Sequence, residues 1–318
     1  MESRMESKYG AIAEAKRFSD ERIQSLRNLI PAIIKADCIS IVTVGSYGRK
    51  EASNLSDLDF FFIKDREDYS PDIEILAFRD LYRELGLKSP SKDGAFNSEI
   101  ELRADMSKNI GGFEDKTEKL TRRLLFLLEG DWLFNEGLYN KILDQLIRHY
   151  VRETITEHQL CRFLLNDLIR YYRTICVDFE CKTYEHGKPW GDRNIKLQFS
   201  RKLLYFSGIL VVAETAQRNW QAKREILSVL LRLSPLERLR RICGSQSEKA
   251  LEIHDDFLMQ MASDKVRDML MATPEDRAKQ SPEFKTFKNK GHQFTSELSR
   301  LLTATYDVSH PIHTAIKF

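Results

Sequence analysis

Nowhere in the 318 residues is there an apolar run of about 18 residues, the length a membrane-spanning helix needs, so none is expected. The opening MESRMESKYGAIAEAKRF mixes both charges and lacks the apolar centre of a secretory leader, which points to a cytoplasmic chain. Cysteines are few, odd in number and scattered (Cys38, Cys161, Cys176, Cys181, Cys243), so a disulfide framework is not expected and reduced thiols are. Cys176 and Cys181 do not have the spacing of a CxxC knuckle, and the seven histidines show no HExxH or similar pattern, so a structural zinc is not expected either. An excess of one charge is missing too. Fifty Lys and Arg stand against 48 Asp and Glu, a net charge of +2, so any basic site must be local and a long nucleic-acid substrate gains no support. No internal repeat or low-complexity segment stands out. What remains, 42% hydrophobic and 31% charged, is the composition of a soluble globular protein.

The apolar periodicity changes character along the chain. Residues 8–36 read as a helix bent or interrupted near its end by Pro31. CISIVTVG (38–45) is rich in β-branched residues and stops at glycine, which marks a buried strand. DLDFFFI (57–63) reads as a second strand, 73–86 as an amphipathic helix ended by Gly86, and AFNSEIEL (95–102) as a third strand. Beyond about residue 115, helical patterns dominate: 116–133, 136–150, 156–182, 192–217, 221–232, 248–271 and 283–305. The expected architecture is α+β, with a small mixed-sheet domain over 1–114 and an all-helical domain over 115–318, hinged near NIGG at 109–112.

The chemistry lies in VGSYGRKEASNLSDLDFFF (44–62), where one strand ends in Gly-Ser and the next opens with Asp-x-Asp. Side chains alternate across a strand, so Asp57 and Asp59 share one face while Leu58 and Phe60 take the other. Two adjacent carboxylates repel unless a cation lies between them, and a hard divalent ion such as Mg²⁺ or Mn²⁺ prefers a few carboxylates plus phosphate oxygens. Gly45 lets backbone approach a phosphate, and Ser46 adds a hydroxyl and an amide.

Val44-Gly45-Ser46, a short spacer and Asp57-Leu58-Asp59-Phe60 resemble the DNA polymerase β-type nucleotidyltransferase superfamily. Its signature is a hydrophobic residue, Gly and Ser or Gly, followed after a spacer by two acidic residues alternating with hydrophobic ones. Gly48, Arg49, Glu51, Ser53 and Ser56-Asp57 look like its bacterial branch, which holds the nitrogen-regulatory uridylyltransferases and related chains. LTRRLLFLLEG, FLLNDLIRYYRTICVDFE and RNIKLQFSRKLLYFSG look like the helical portion of such proteins.

The resemblance implies a nucleotidyltransferase fold with Asp57 and Asp59 as metal ligands and catalytic residues, and Gly45, Ser46 and Arg49 at the triphosphate. It also implies a third carboxylate on a neighbouring strand, for which Glu99 and Glu101 are the leading candidates and Asp105 a further one. A basic face on two consecutive helices, Arg170, Arg173, Lys196, Arg201 and Lys202, is expected to clamp the triphosphate. Arg122-Arg123 reads as a plain surface pair, and Tyr171 and Tyr172 as core.

The expected reaction moves a nucleoside monophosphate from an NTP to a hydroxyl of a protein, tRNA or nucleotide, with a slight tilt toward protein. A non-catalytic nucleotide-binding module and a second-messenger synthase are the alternatives.

Overall fold

A computed structural model of the chain describes residues 8–88, 100–278 and 280–317; for residues 100–102 it describes the backbone alone. The architecture is α+β and mostly helical. Contacts gather the described residues into two compact units. One comprises Ala15–Asp167 and Thr215–Ser234, the other Met1–Glu14, Leu168–Glu214 and Pro235–Phe318. Among the described residues no helix is long and apolar enough to cross a membrane.

The first unit is built on a four-stranded mixed sheet. Helix α1 (Gly10–Ile33) leads into β1 (Ile39–Thr43), short helix α2 (Gly45–Arg49), β2 (Phe60–Lys64) and α3 (Asp72–Glu84). Then come β3 (Ile100–Leu102), α4 (Arg103–Ser107), α5 (Thr117–Glu129), β4 (Asp131–Phe134) and α6 (Glu136–Tyr150). The strand order is β3-β2-β1-β4. β1 pairs antiparallel with β2, with Thr43 opposite Phe60 and Ile39 opposite Lys64. β2 pairs parallel with β3. One face of the sheet packs Ile39, Ile41, Phe60 and Phe62 against Ile23, Leu26 and Ile30 of α1 and against Phe78 and Tyr82 of α3. Phe60 meets Phe78 edge-on at 4.7 Å. Val42, Phe61 and Ile63, on the alternate positions, are also fully buried.

Several expected elements are corrected. The expected helix over 116–133 is α5 followed by a strand, because Trp132 and Asp131 pair with Val42 and Thr43 of β1. Gly130 makes the change of direction, since a Cβ there would strike the backbone of Phe126. The contacts therefore group the chain differently from a cut at 114/115, because β4 completes the sheet from the far side of α5. The second strand begins at Phe60 rather than Asp57.

Pro31 does not interrupt α1, which runs on through it to Ile33. The expected surface pair Arg122-Arg123 is buried, Arg123 completely. Arg123 forms a fork with Asp115 (2.9 and 2.9 Å) and also meets Asp167 at 2.8 Å, while the Tyr150 hydroxyl donates to Asp167 at 2.5 Å. Burial alone would lower its pKa, but Asp115, Tyr150 and Asp167 outweigh that and keep it charged.

Helix α7 (Arg162–Glu180) gives its first residues to this unit. Helix α10 (Trp220–Leu230) returns to it: Lys223 caps the carbonyls of Glu157 and Arg218, and Arg224 Nε donates to Val151 O at 3.0 Å.

The second unit is helical. α7 ends in a π turn, Cys181–Glu185, and is followed by α8 (Trp190–Gln198) and α9 (Ser200–Ala213). Then follow α11 (Pro235–Cys243), α12 (Glu248–Met261), α13 (Asp264–Met271), the single turn α14 (Glu275–Ala278), α15 (Pro282–Thr305) and α16 (Ile312–Ala315). The expected helix over 192–217 breaks at Phe199, whose ring is wholly buried in a stack with Phe257 at 4.5 Å and Phe294 at 5.5 Å. The expected helix over 248–271 likewise divides, at Ala262 and Ser263.

Asp20 on α1 lies between Lys16 (2.7 Å) and Lys50 (3.0 Å). Burial works against its charge, but the Lys16 hydrogen bond and the Lys50 ammonium outweigh it and hold the carboxyl below its ordinary value of 3.8. With a lowered folded pKa, this contribution is complete above about pH 4 and is lost as pH falls through the folded value. Asp20→Asn is expected to flatten the acid limb of a stability-versus-pH curve by urea denaturation. An unchanged limb would count against the pairing.

Candidate active site

The β1–β2 ladder runs past both strand ends. Val44 N–H donates to Asp59 O at 3.0 Å, and Thr43 Oγ1 donates to the same oxygen at 2.9 Å. That bond sets the turn after β1 beside the Asp-Leu-Asp segment. Gly45 there has φ +68°, in the left-handed region. A Cβ at Gly45 would meet Asp59 Oδ2 far inside van der Waals contact. Backbone conformation and close approach therefore both require glycine. Gly45→Ala is expected to cost about 1–3 kcal/mol from the backbone alone, plus displacement of Asp59, readable as a lower denaturation midpoint with unchanged slope.

Burial alternates along the acidic segment. Leu58 and Phe60 are buried in the core, whereas Asp57 is exposed and Asp59 half-buried. Leu58 N–H donates to Lys88 O at 3.0 Å, holding this stretch extended ahead of β2. The alternation places the two carboxylates on the side away from the α1–α3 core, with Asp59 against Gly45. Tyr47, one turn into α2, is buried beside Phe18. Burial pushes its phenol up, Arg22 opposes this and the Asp57 carboxylate adds to it.

Arg49 and Gly45 take roles the sequence did not suggest. Glu129, at the end of α5, is buried; its Oε1 accepts Gly45 N–H at 2.7 Å and its Oε2 accepts from Arg49 Nη1 at 2.7 Å. Arg49 Nε donates to Glu51 Oε2 at 2.8 Å. Burial alone would lower the Arg49 pKa, but the charges of Glu129 and Glu51 raise it. The guanidinium thus bridges two carboxylates and ties the turn to α5, and the Gly45 amide is already bonded. A Cβ at Gly48 would strike the Glu129 carbonyl, so α2 also needs glycine there to lie on α5. Ser46, half-buried, keeps its hydroxyl without a partner among the described residues. The sequence signal for Glu129 was present: a carboxylate closing the apolar run LLFLL directly before glycine.

Of the third-carboxylate candidates, Glu99 lies outside the described residues. Glu101 is described in its backbone only, paired with Ile63, four residues on from Asp59. Asp105 sits in α4, 4.0 Å from Lys119. Among the described residues no third acidic, His or Cys ligand gathers with Asp57 and Asp59 within 4.8 Å; the one such set of three is Cys181, Glu185 and His186, in the helical unit. In an α-helix a residue five positions on is rotated by about 140°, but the i→i+5 bond of the π turn, His186 N–H to Cys181 O at 3.3 Å, brings 181, 185 and 186 together.

The five residues of the expected basic clamp all belong to the helical unit. Lys196 pairs with Asp192 at 2.8 Å, and Lys202 donates to Gln198 (2.9 Å) and Thr295 (2.6 Å). Tyr171 is core as expected, whereas Tyr172 is half-buried and stacks on Tyr205.

Compared with known proteins, the chain matches no protein-family model and no curated protein.

Proposed function

We propose that the sheet unit is a metal-dependent nucleotidyltransferase site that moves a nucleoside monophosphate from an NTP to a hydroxyl and releases pyrophosphate. The observation that carries this reading is the seating of Gly45, at positive φ, directly against Asp59, with Asp57 two residues away on the same side. Two carboxylates beside a close-packed glycine suit a hard divalent ion, Mg²⁺ or Mn²⁺, which prefers a few carboxylates together with phosphate oxygens. Such an ion supplies Lewis-acid neutralisation of charge on the phosphates.

Asp57 and Asp59 would hold that ion. Ser46 Oγ offers a donor to a phosphate oxygen, and the Arg49–Glu129 tie fixes the turn that presents it. The acceptor oxygen forms a bond to the α-phosphorus while the bond to the β-phosphate oxygen breaks, and the hydroxyl proton leaves to solvent. A protein side chain, a tRNA end or another nucleotide each offers such a hydroxyl.

The Glu129 hydrogen bond on the Gly45 amide favours a second reading, a nucleotide-binding module without catalysis, because it removes one donor from the phosphate. Incubation with each NTP labelled at the α-phosphate, with Mg²⁺ or Mn²⁺ and whole-cell lysate, separates the two. Label in protein or RNA supports transfer, and a cyclic or linear oligonucleotide formed from NTPs alone identifies a messenger synthase. Saturable NTP binding with no labelled product in any arm supports the binding module.

A further inference from the structure

The helical unit holds a group of cations that have no carboxylate partner among the described residues. Tyr172 of α7 and Tyr205 of α9 stack with centroids 4.3 Å apart and planes 7° from parallel. Four residues on from Tyr172 is Cys176, and four and three residues before Tyr205 are Arg201 and Lys202. Residues so spaced lie above one another on a helix face. Burial raises the Cys176 thiol, while the charges of Lys202 and Arg201 oppose that, so both cations lie within electrostatic reach of it. Arg173 acts on the same thiol and on both phenols. Three cations and the tyrosine stack therefore share one neighbourhood.

Elsewhere on α7 and its π turn and on α8, Lys182 and Lys196 each pair with an aspartate four residues away, at 2.7 and 2.8 Å. Among the described residues, Arg173 and Arg201 have no carboxylate partner, and the partners of Lys202 are the neutral Gln198 and Thr295. The Lys202 ammonium is also partly desolvated, and burial lowers its pKa. Like charges brought together at the expense of hydration are relieved by an anion. Two planar guanidinium forks and an ammonium offer more donors than one carboxylate can accept, and they suit a chain of phosphates.

We propose that the face shared by Cys176 and the Tyr172–Tyr205 stack binds a polyphosphate anion, gripped by Arg173, Arg201 and Lys202. This site stands independently of the metal-and-transfer reading of Asp57 and Asp59.

The test is calorimetric titration of the full chain with inorganic triphosphate, without divalent metal. Saturable binding is expected, weakened about ten- to a hundredfold by Arg173→Gln and by Arg201→Gln. It should be unchanged by Lys249→Gln, on an exposed part of the same unit, and by Asp59→Asn. The Asp59→Asn arm separates failure of this site from failure of the transferase reading. ATP in place of triphosphate distinguishes the sources: tighter binding points to a nucleotide, equal binding to the phosphate chain alone. In a Cys38→Ser/Cys181→Ser background, saturating triphosphate is expected to slow alkylation of Cys176 at least about tenfold. Absence of binding, unaltered affinity in the Arg173→Gln/Arg201→Gln double variant, or an alkylation rate indifferent to triphosphate would each overturn the proposal.

Discussion

Asp59→Asn is expected to lower nucleotidyl transfer by about a thousandfold or more while the protein stays folded. A bound divalent ion supplies several kcal/mol of charge stabilisation at a phosphoryl centre, and each 1.36 kcal/mol is a factor of ten in rate. Asparagine keeps the shape of the side chain against Gly45 but not the charge that would hold the proposed ion. Asp57→Asn should act in the same direction. Stability in metal-free buffer should be unchanged or slightly higher, because the replacement removes one of two neighbouring negative charges. Rate and thermal midpoint measured on the same preparations decide it. A double variant that transfers label at the parental rate would place the chemistry elsewhere.

Arg49→Ala carries the second large effect, and it falls on stability. Its guanidinium pairs with both Glu51 and Glu129, whose side chains are each only 2% exposed. Removing one partner of a buried ion pair costs about 3–5 kcal/mol, because the remaining charge stays desolvated without that counter-charge. Glu129 would then face the Gly45 amide alone, and the turn that carries Ser46 would lose its tie to α5. Arg49→Lys should recover part of the loss, since an ammonium keeps the charge but not the fork. Urea denaturation gives the stability change directly. A loss below about 1 kcal/mol, the scale of an exposed pair, would show that the guanidinium does not hold the turn.

Local chemistry made part of this molecule legible. CISIVTVG shows its β-branched run, and the alternation of Asp57, Leu58, Asp59 and Phe60 follows from the two-residue period of an extended chain, so β1, β2 and the separation of the two aspartates from the core could be read directly. Helices α3, α6 and α10 carry their own amphipathic periods and fall within a few residues of their expected bounds. These features depend on residues close together along the chain, where spacing and propensity act alone.

Where contacts between distant segments decide, the reading stopped. DWLF at 131–134 continues a helical pattern and becomes a strand because β1 offers an edge about ninety residues earlier, with Thr43 opposite Asp131. Phe199 interrupts an unbroken helical period because burial among Phe257 and Phe294 stabilises its ring more than the helix gains by continuing. Arg123 looks like half of a surface pair until Asp115, Tyr150 and Asp167 converge on it.

The site divides in the same way. Gly45 and the Asp57–Asp59 pair announce themselves through spacing. That Arg49 bridges Glu51 and Glu129 instead of standing open, and that Glu129 takes the Gly45 amide, depends on α5 docking at the end of β1. Helix propensity and strand period are properties of a segment, whereas the partner of a buried charge is set by whichever distant side chain the fold delivers to it.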